Sequence, residues 1–366
     1  MDCTIFAFFL CIRLHTAHLP PFLLYNLAMA KNRNIFKWFD TVRKLPVPKF
    51  ITGLRGTGKT AALLRLRDQL LAEGVSPANT LFIDTAVPSF RKFISSGQLI
   101  DYILRTLPRK GKSYVFIREA AAIPDAEVVI GTLAASTKRE VFSTSSSRRL
   151  LDHGLASYFS GRLAHFEVLP MADAEPYTPE LARARWNEIF LHDVLAPNRI
   201  LEIVLIGRIA GWLSDNLGDT TSLRTISSAI APTRRTVSPH TIENHLAALE
   251  DAHLVEKVLR WDLSTDAPQK TGYKYFFTDP ALRLAHFGPA PHRESRRMAL
   301  NRAWLYLRHQ EDAVFTASGP PDIHFVTCTG NEHRLWHMTP HGTLSCRGVD
   351  RQSSDTTTSP ARDGET

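Results

Sequence analysis

Cysteine is scarce and badly placed for any framework. The four, Cys3, Cys11, Cys328 and Cys346, lie at opposite ends of 366 residues, and no C-x-x-C spacing occurs. That excludes a disulfide scaffold and a zinc knuckle, and it suits a reducing compartment, so a cytoplasmic protein is expected. Long apolar runs are missing as well. Ile5–Ile12 has eight apolar residues, against the roughly 20 that a bilayer-spanning helix needs, and no other stretch comes nearer to a span. A basic flank and a small-residue cleavage site are also lacking there, since Asp2 is the only charge before the run, so a secretory signal is not indicated. Met29 opens MAKNRNIFKWFDTVRK, which reads as a natural start. Residues 1–28, within an N-terminal extension 1–35, are therefore read as non-functional, with membrane association the lesser alternative. Excess charge of one sign is small: 44 Lys and Arg against 36 Asp and Glu. It permits a polyanionic partner without demanding one.

What is present is an ordinary globular mixture, 44% hydrophobic and 22% charged, which excludes a disordered chain, a collagen-like fibre and a coiled-coil rod. The length allows two or three domains at roughly 100–200 residues each. Apolar runs at 47–52, 81–84, 114–117, 141–144 and 165–169 alternate with helical spacing at 60–74, 97–107 and 128–135. Strands alternating with helices predict a parallel sheet with helices on both faces. Prolines from 170 to 179 then close this unit near residue 178. Residues 180–216 are helical in pattern. Residues 222–230, a turn at 232–235, a helix over 239–252, and strand-like pieces at 255–261 and 273–278 come next, the order of a winged helix-turn-helix. Residues 284–350 mix a helix (295–309) with strands at 323–328 and 334–337, and from Asp350 the Ser/Thr/Asp-rich chain reads as a disordered tail. The expected division is 1–35 extension, 36–178 α/β unit, 179–285 helical and winged helix, 286–349 C-terminal region and 350–366 tail.

Chemistry concentrates in Gly53-Leu-Arg-Gly-Thr-Gly58-Lys59-Thr60, a complete G-x-x-x-x-G-K-[ST] P-loop between a strand and a helix. Such glycines let backbone N–H groups curl around phosphates at a helix N-terminus. Gly53, Leu54, Arg55, Gly56, Thr57, Gly58, Lys59, Thr60 and Ala61 are the expected ATP contacts, with Lys59 on the β- and γ-phosphates and Thr60 on Mg²⁺. The later strand Tyr114-Val-Phe-Ile-Arg118-Glu119 should close on Asp then Glu. Glu119 is the candidate water-activating carboxylate, but Arg118 stands where the Asp belongs, and a cation there repels the metal. Thr144 and Ser146 are sensor candidates after the fourth strand. Arg162 is a candidate charge-stabilising arginine, for its own site or a neighbouring subunit's. Asp84, ending the second strand, is read as a structural cap.

The order GLRGTGKT, LFIDT, SYVFIREA, VFSTSSSRRLL, YFSGRLAHFEVLP resembles bacterial and archaeal AAA-type ATPases that carry a winged helix and a restriction-endonuclease-like C-terminal region. The segment from Thr241 to Val255 and that from Lys274 to Arg283 are similar to that family's recognition helix and post-wing strand. The resemblance covers about residues 36–290. It implies an α/β P-loop NTPase of AAA type, then an α-helical and winged-helix domain and a small α+β region. It also implies ATP and Mg²⁺ as ligands; DNA contact through the winged helix, set against a packing or protein-interaction role for that unit, and a homo-oligomer are further expectations. Three departures stand out. Arg118 replaces the Walker B Asp, and Ser145 the sensor-turn Gly. Asn301 and His324 replace two carboxylates of a nuclease-like site, which implies that this region is inactive. Arg234, Arg235, His240 and Asn244 are the candidate DNA contacts, beside the wing cations Lys257, Arg260, Lys270 and Lys274. Expected activity is Mg-dependent ATP hydrolysis, impaired by Arg118 and coupled to winged-helix movement. A non-hydrolysing nucleotide switch and a DNA-binding regulator are the alternatives.

Overall fold

The computed structural model describes residues 35–43, 45–87, 90, 95–108, 110–160, 162–170, 177–230, 237–289, 294–311, 313–319, 323–329, 332–339 and 343–349. The expected extension, apart from Ile35, and the expected tail lie outside the described residues, as do Arg234 and Arg235.

The N-terminal unit runs α1 (Ile35–Val42), β1 (Lys49–Thr52), α2 (Lys59–Ala72), β2 (Thr80–Asp84), α3 (Ser96–Thr106), β3 (Ser113–Arg118), α4 (Ala126–Ala134), β4 (Arg139–Ser145) and β5 (Ala164–Glu167). The strands lie in the order β2-β3-β4-β1-β5, every neighbouring pair parallel. Successive residues alternate faces, and both faces are covered. Phe50, Val115, Ile117 and Val141 pack with Leu99 and Ile103 of α3 and Val129, Ile130 and Leu133 of α4. Ile51, Tyr114, Phe116 and Phe142 pack on the other face with Trp38 and Phe39 of α1 and Leu63, Leu66 and Leu70 of α2. A sheet buried on both sides explains why these strands read as continuous apolar runs.

Beyond Pro170 the chain builds a second core. α5 (Pro179–Ile189) continues into a wide i→i+5 turn at Phe190–Leu195, and α6 (Ile203–Asp215) comes after it. The single helical stretch expected over 180–216 is interrupted, because Arg199 adopts φ 51°, a left-handed conformation that ends a helix. Next come α7 (Leu223–Ile230), α8 (Pro239–Asp251), β6 (Val255–Val258), β7 (Arg260–Asp262), β8 (Ala267–Pro268), β9 (Lys274–Phe277), α9 (Pro280–Phe287) and α10 (Glu294–Gln310). β6 and β9 pair antiparallel, and a bridge from Thr221 to Tyr273 lies beside them.

The strand expected over 255–261 is two strands. β7 leaves the ribbon and pairs in parallel with β10 (Ala313–Ser318). β10 opens an antiparallel meander with β11 (Phe325–Thr329), β12 (Glu332–Met338) and β13 (Leu344–Val349). β10 and β13 were not legible in the sequence pattern. The resulting six-stranded sheet, β13-β12-β11-β10-β7-β8, therefore crosses the division expected at 285/286. Leu54 and Leu169 of the N-terminal unit belong to the second core, together with Trp186, Ile209, Leu246, Phe276 and Trp304.

Candidate functional site

β1 ends at Thr52 and α2 starts at Lys59, so the six residues between them form a loop at the carboxyl edge of the sheet. Two glycines there are forced. At Gly53, φ is +142° and a Cβ would stand 2.2 Å from the Val168 carbonyl oxygen; at Gly56, φ is +78° and a Cβ would stand 2.5 Å from Arg185 Nη1. Leu54 is buried beneath the loop, while Arg55, Thr57 and Thr60 are half-buried and Gly56, Gly58 and Ala61 are exposed. Thr57 Oγ1 donates to the Leu54 carbonyl at 2.9 Å.

Lys59 is 4% exposed, and its Nζ donates to the carbonyls of Gly53 (2.8 Å) and Leu54 (2.9 Å). Burial lowers its pKa to about 8, with Glu119 and Asp193 pulling upward. The cation thus lies curled inside the loop that its spacing assigned to phosphates.

Glu119 lies just after β3 in the left-handed region, φ 50°. Its backbone N–H donates to Thr144 Oγ1 at 3.1 Å. Its carboxylate accepts from Ser146 Oγ (2.8 Å) and from the Ser146 backbone N–H (2.9 Å). The sequence-predicted carboxylate and both sensor candidates are therefore brought together, because β3 and β4 are parallel neighbours.

Arg118 does more than fill a vacant position. Its Nη1 donates to both oxygens of Asp84, at 2.8 and 3.0 Å, and its Nε to Thr60 Oγ1 at 3.2 Å. Asp84 and Arg118 face each other in the β2–β3 register. Asp84 Oδ1 also accepts the Ala86 N–H at 2.9 Å, so the expected capping role is accompanied by an ion pair. The Mg²⁺ implied by the family resemblance would need the Thr60 hydroxyl oxygen and a carboxylate at position 118. A guanidinium takes both places, so the residues as arranged do not fit the ion. No group of three or more His, Cys, Asp or Glu residues that could hold a metal occurs among the described residues.

Two residues that hold the loop, Asp193 and Arg185, had no counterpart in the sequence reading. Arg55 forms a two-pronged pair with Asp193, Nε to Oδ2 at 2.7 Å and Nη2 to Oδ1 at 2.6 Å. Burial pushes the Asp193 carboxyl up, Arg55 pulling the other way. Arg185 of α5 lays its guanidinium over Gly56, donates Nη2 to the Arg55 carbonyl at 3.0 Å and sits over the Tyr177 ring. Its Nε is buried without a hydrogen-bond partner. A lone Asp inside the apolar run FLHDVL was the signal that could have found Asp193, since an unpaired buried carboxylate is too costly to persist.

Beyond the loop, Arg148 Nη2 donates to Glu167 Oε1 (2.8 Å) and Glu256 Oε2 (3.0 Å), and Arg308 Nη2 to Glu167 Oε2 (2.8 Å). Burial pushes Glu167 up, but Arg148 and Arg308 outweigh it and hold the carboxyl well below the usual range. His253, at 3.0 Å from Glu167, is lowered to about 4 by burial and by Arg148.

Other expectations fare differently. Arg162 precedes the first residue of β5, which is parallel to β1 with Ala164 opposite Lys49. It therefore lies at the amino edge of the sheet, about 13 Å of strand from the P-loop edge. It cannot act in its own chain's site. His240 and Asn244 are exposed on α8 and contact each other (3.3 Å) beside Glu243. Asn301 is fully buried and bonds both the N–H (3.0 Å) and the carbonyl (2.7 Å) of Phe277, a structural duty. His324 Nδ1 accepts from the Met338 N–H at 3.3 Å.

Residues 46–176 match the family described as AAA domain, and residues 172–293 match a domain of unknown function, DUF8612. An uncharacterized protein of Haemophilus influenzae is 23% identical over 298 residues, covering 71% of this chain and 74% of that protein. Among solved structures, a Walker-type ATPase of Pyrococcus abyssi is similar at TM-score 0.41 and 12% identity, covering 70% of this chain and 95% of its own. PCH-2 of C. elegans is similar at TM-score 0.28 and 14% identity, covering 62% and 66%. The five-stranded parallel sheet of the N-terminal unit, with its flanking helices, fits a P-loop NTPase fold, in line with the AAA-domain match over residues 46–176. No helix among the described residues is long and apolar enough to cross a membrane.

Proposed function

We propose that this chain is an ATP-binding switch whose P-loop domain reports its occupancy to the helical unit packed against it. The carrying observation is that the P-loop is held from both sides. From inside, Lys59 Nζ holds the carbonyls of Gly53 and Leu54, while from outside Arg55 and Arg185 tie the same turn to Asp193 and α5. A triphosphate accepted by this turn competes with the carbonyls of Gly53 and Leu54 for Lys59. Arg185, with one buried N–H unused, is a further donor beside the loop. Moving either group changes the contacts of α5 and of the wide turn that carries Asp193.

Arg118 favours slow or absent hydrolysis, because a guanidinium on Thr60 and Asp84 stands where a metal-holding carboxylate is required. Hydrolysis is a second reading, favoured by one observation: Glu119 is held by Ser146 in the place of a water-activating carboxylate. Arg162 then belongs to a neighbouring subunit's site in a homo-oligomer. α7, α8, the β6–β9 ribbon and the Thr221–Tyr273 bridge support a winged helix as the moving part, with His240 and Asn244 on its open face. DNA contact there is a partner reading, alongside a cytoplasmic location.

ATP binding and phosphate release by the purified chain, beside Lys59→Ala and Arg118→Asp, test this. The switch predicts micromolar-range ATP binding lost by about 100-fold or more on Lys59→Ala, no turnover in the wild type, and turnover appearing on Arg118→Asp. Turnover by the wild type, lost on Lys59→Ala, would replace the switch with an ATPase.

A further inference from the structure

A second concentration of positive charge lies far along the chain from the P-loop, in a cavity of about 270 Å³. It is a half-open cleft where the β6–β9 ribbon, the first turns of α10 and the strands β7 and β10 meet. Arg260, Lys274, Arg296 and Arg297 line it, with Asp219 the one carboxylate among the lining residues and Ser318 on the β10 side. Asp219 is already engaged, its Oδ2 accepting from Arg297 Nη2 at 2.7 Å. No carboxylate pairs with Arg260, Lys274 or Arg296 among the described residues. Arg260 spends Nη2 on Ser318 Oγ (2.7 Å), and its Nε is buried with no hydrogen-bond partner.

Lys274 shows that these charges feel one another. Burial lowers its pKa, Arg260 and Arg296 lower it further, and Asp219 alone among the named groups resists. Cations gathered around one cleft repel one another, and a buried guanidinium N–H without an acceptor adds a desolvation cost. An anion placed among them relieves both. A tetrahedral oxyanion suits the set best, since Arg presents a planar fork and Lys a point charge.

We propose that this cavity is a phosphate-binding site separate from the P-loop. Its ligand is a phosphoryl group, received from nucleic acid or from a free phosphate. The floor of the cavity includes His324, one of the two positions where the family resemblance places a carboxylate. Loss of the acid there leaves a basic pocket that holds a phosphate without a metal.

The test uses full-length protein carrying Lys59→Ala, which silences the P-loop, titrated with inorganic phosphate, a 5′-phosphorylated ten-nucleotide single strand and the same strand without its phosphate. Binding of any probe, weakened at least tenfold by Arg296→Gln and steepened at low salt, supports the site. Free phosphate alone identifies a small-anion pocket, the phosphorylated strand alone a nucleic-acid end, and both strands equally a backbone phosphate. Arg296 is exposed, so its variant folds independently of the cavity, and Arg260→Gln serves as the second variant. No binding of any probe at low salt, or binding that neither variant changes, overturns the proposal. Because the P-loop is disabled throughout, neither result bears on ATP binding.

Discussion

Lys59 is both the most legible residue of the chain and the one whose state the fold alters most. Its spacing in the P-loop announces it, yet only the structure shows its ammonium buried and lowered to about 8. In the free protein it is half deprotonated near pH 8, whereas an adjacent triphosphate raises its pKa and holds the proton. ATP affinity is therefore expected to be flat below pH 7.5 and to fall as pH rises past 8, by up to about tenfold per unit. Calorimetric titration from pH 6.5 to 9.5 checks this. A flat profile throughout would place the ammonium away from the phosphates. Arg118 was visible as a departure from the motif, but its partner was not. Asp84 meets it only because β2 and β3 run parallel in that register, a pairing that no local spacing encodes.

At the scale of elements, strands and helices of the first unit were readable because each is short, apolar on a regular period and closed by a turn signal. The wide turn at Phe190–Leu195 was not. An i→i+5 turn adds a residue to the helical circuit and rotates the residues after it, so Asp193 faces the P-loop where a regular helix would aim it elsewhere. Cutting this tie leaves Arg55 half-buried without its acceptor. Asp193→Ala is expected to destabilise the protein by about 1–3 kcal/mol. Glu188→Ala, whose carboxylate stands 3.9 Å from Arg55 and is 55% exposed, is expected to cost under about 0.5 kcal/mol. Urea denaturation of the two variants measures the contrast, and equal losses would deny Asp193 its role. The split of 255–261 into β6 and β7 was hidden for a similar reason: apolar alternation continues across the point where the strand changes sheets.

The whole molecule is joined by charge as much as by apolar surface. Arg148 after β4, Glu167 at the end of β5, His253 after α8, Glu256 on β6 and Arg308 on α10 form one buried cluster, whose members come from both cores. Removing one charge strands the rest, so Glu167→Gln is expected to cost about 3–5 kcal/mol, read as a lowered urea midpoint. Acid acts in the same direction. The folded His253 stays neutral to about pH 4, while its unfolded counterpart takes a proton near pH 6.5. Stability is thus full above 6.5 and declines as pH falls from there to about 4, by up to about 3 kcal/mol. Glu167, depressed in the fold, contributes above the unfolded carboxyl pKa near 4.3 and loses that contribution below it. Stability measured by urea between pH 8 and 3.5 should fall in two stages. His253→Asn, compatible with the left-handed backbone there (φ 56°), should remove the first. An unchanged profile in that variant would assign the early loss elsewhere.

The scarcity of cysteine and of long apolar runs, the alternation of strand and helix, and the P-loop spacing determined by themselves an α/β domain with a phosphate-binding turn. Such features are local, written in neighbours a few residues apart. Only the tertiary structure decided that Arg118 reaches Thr60 and Asp84, that Asp193 and Arg185 hold the P-loop, and that four cations line one cavity. Each of those depends on chain segments far apart in sequence that burial and strand register bring within a hydrogen bond's length.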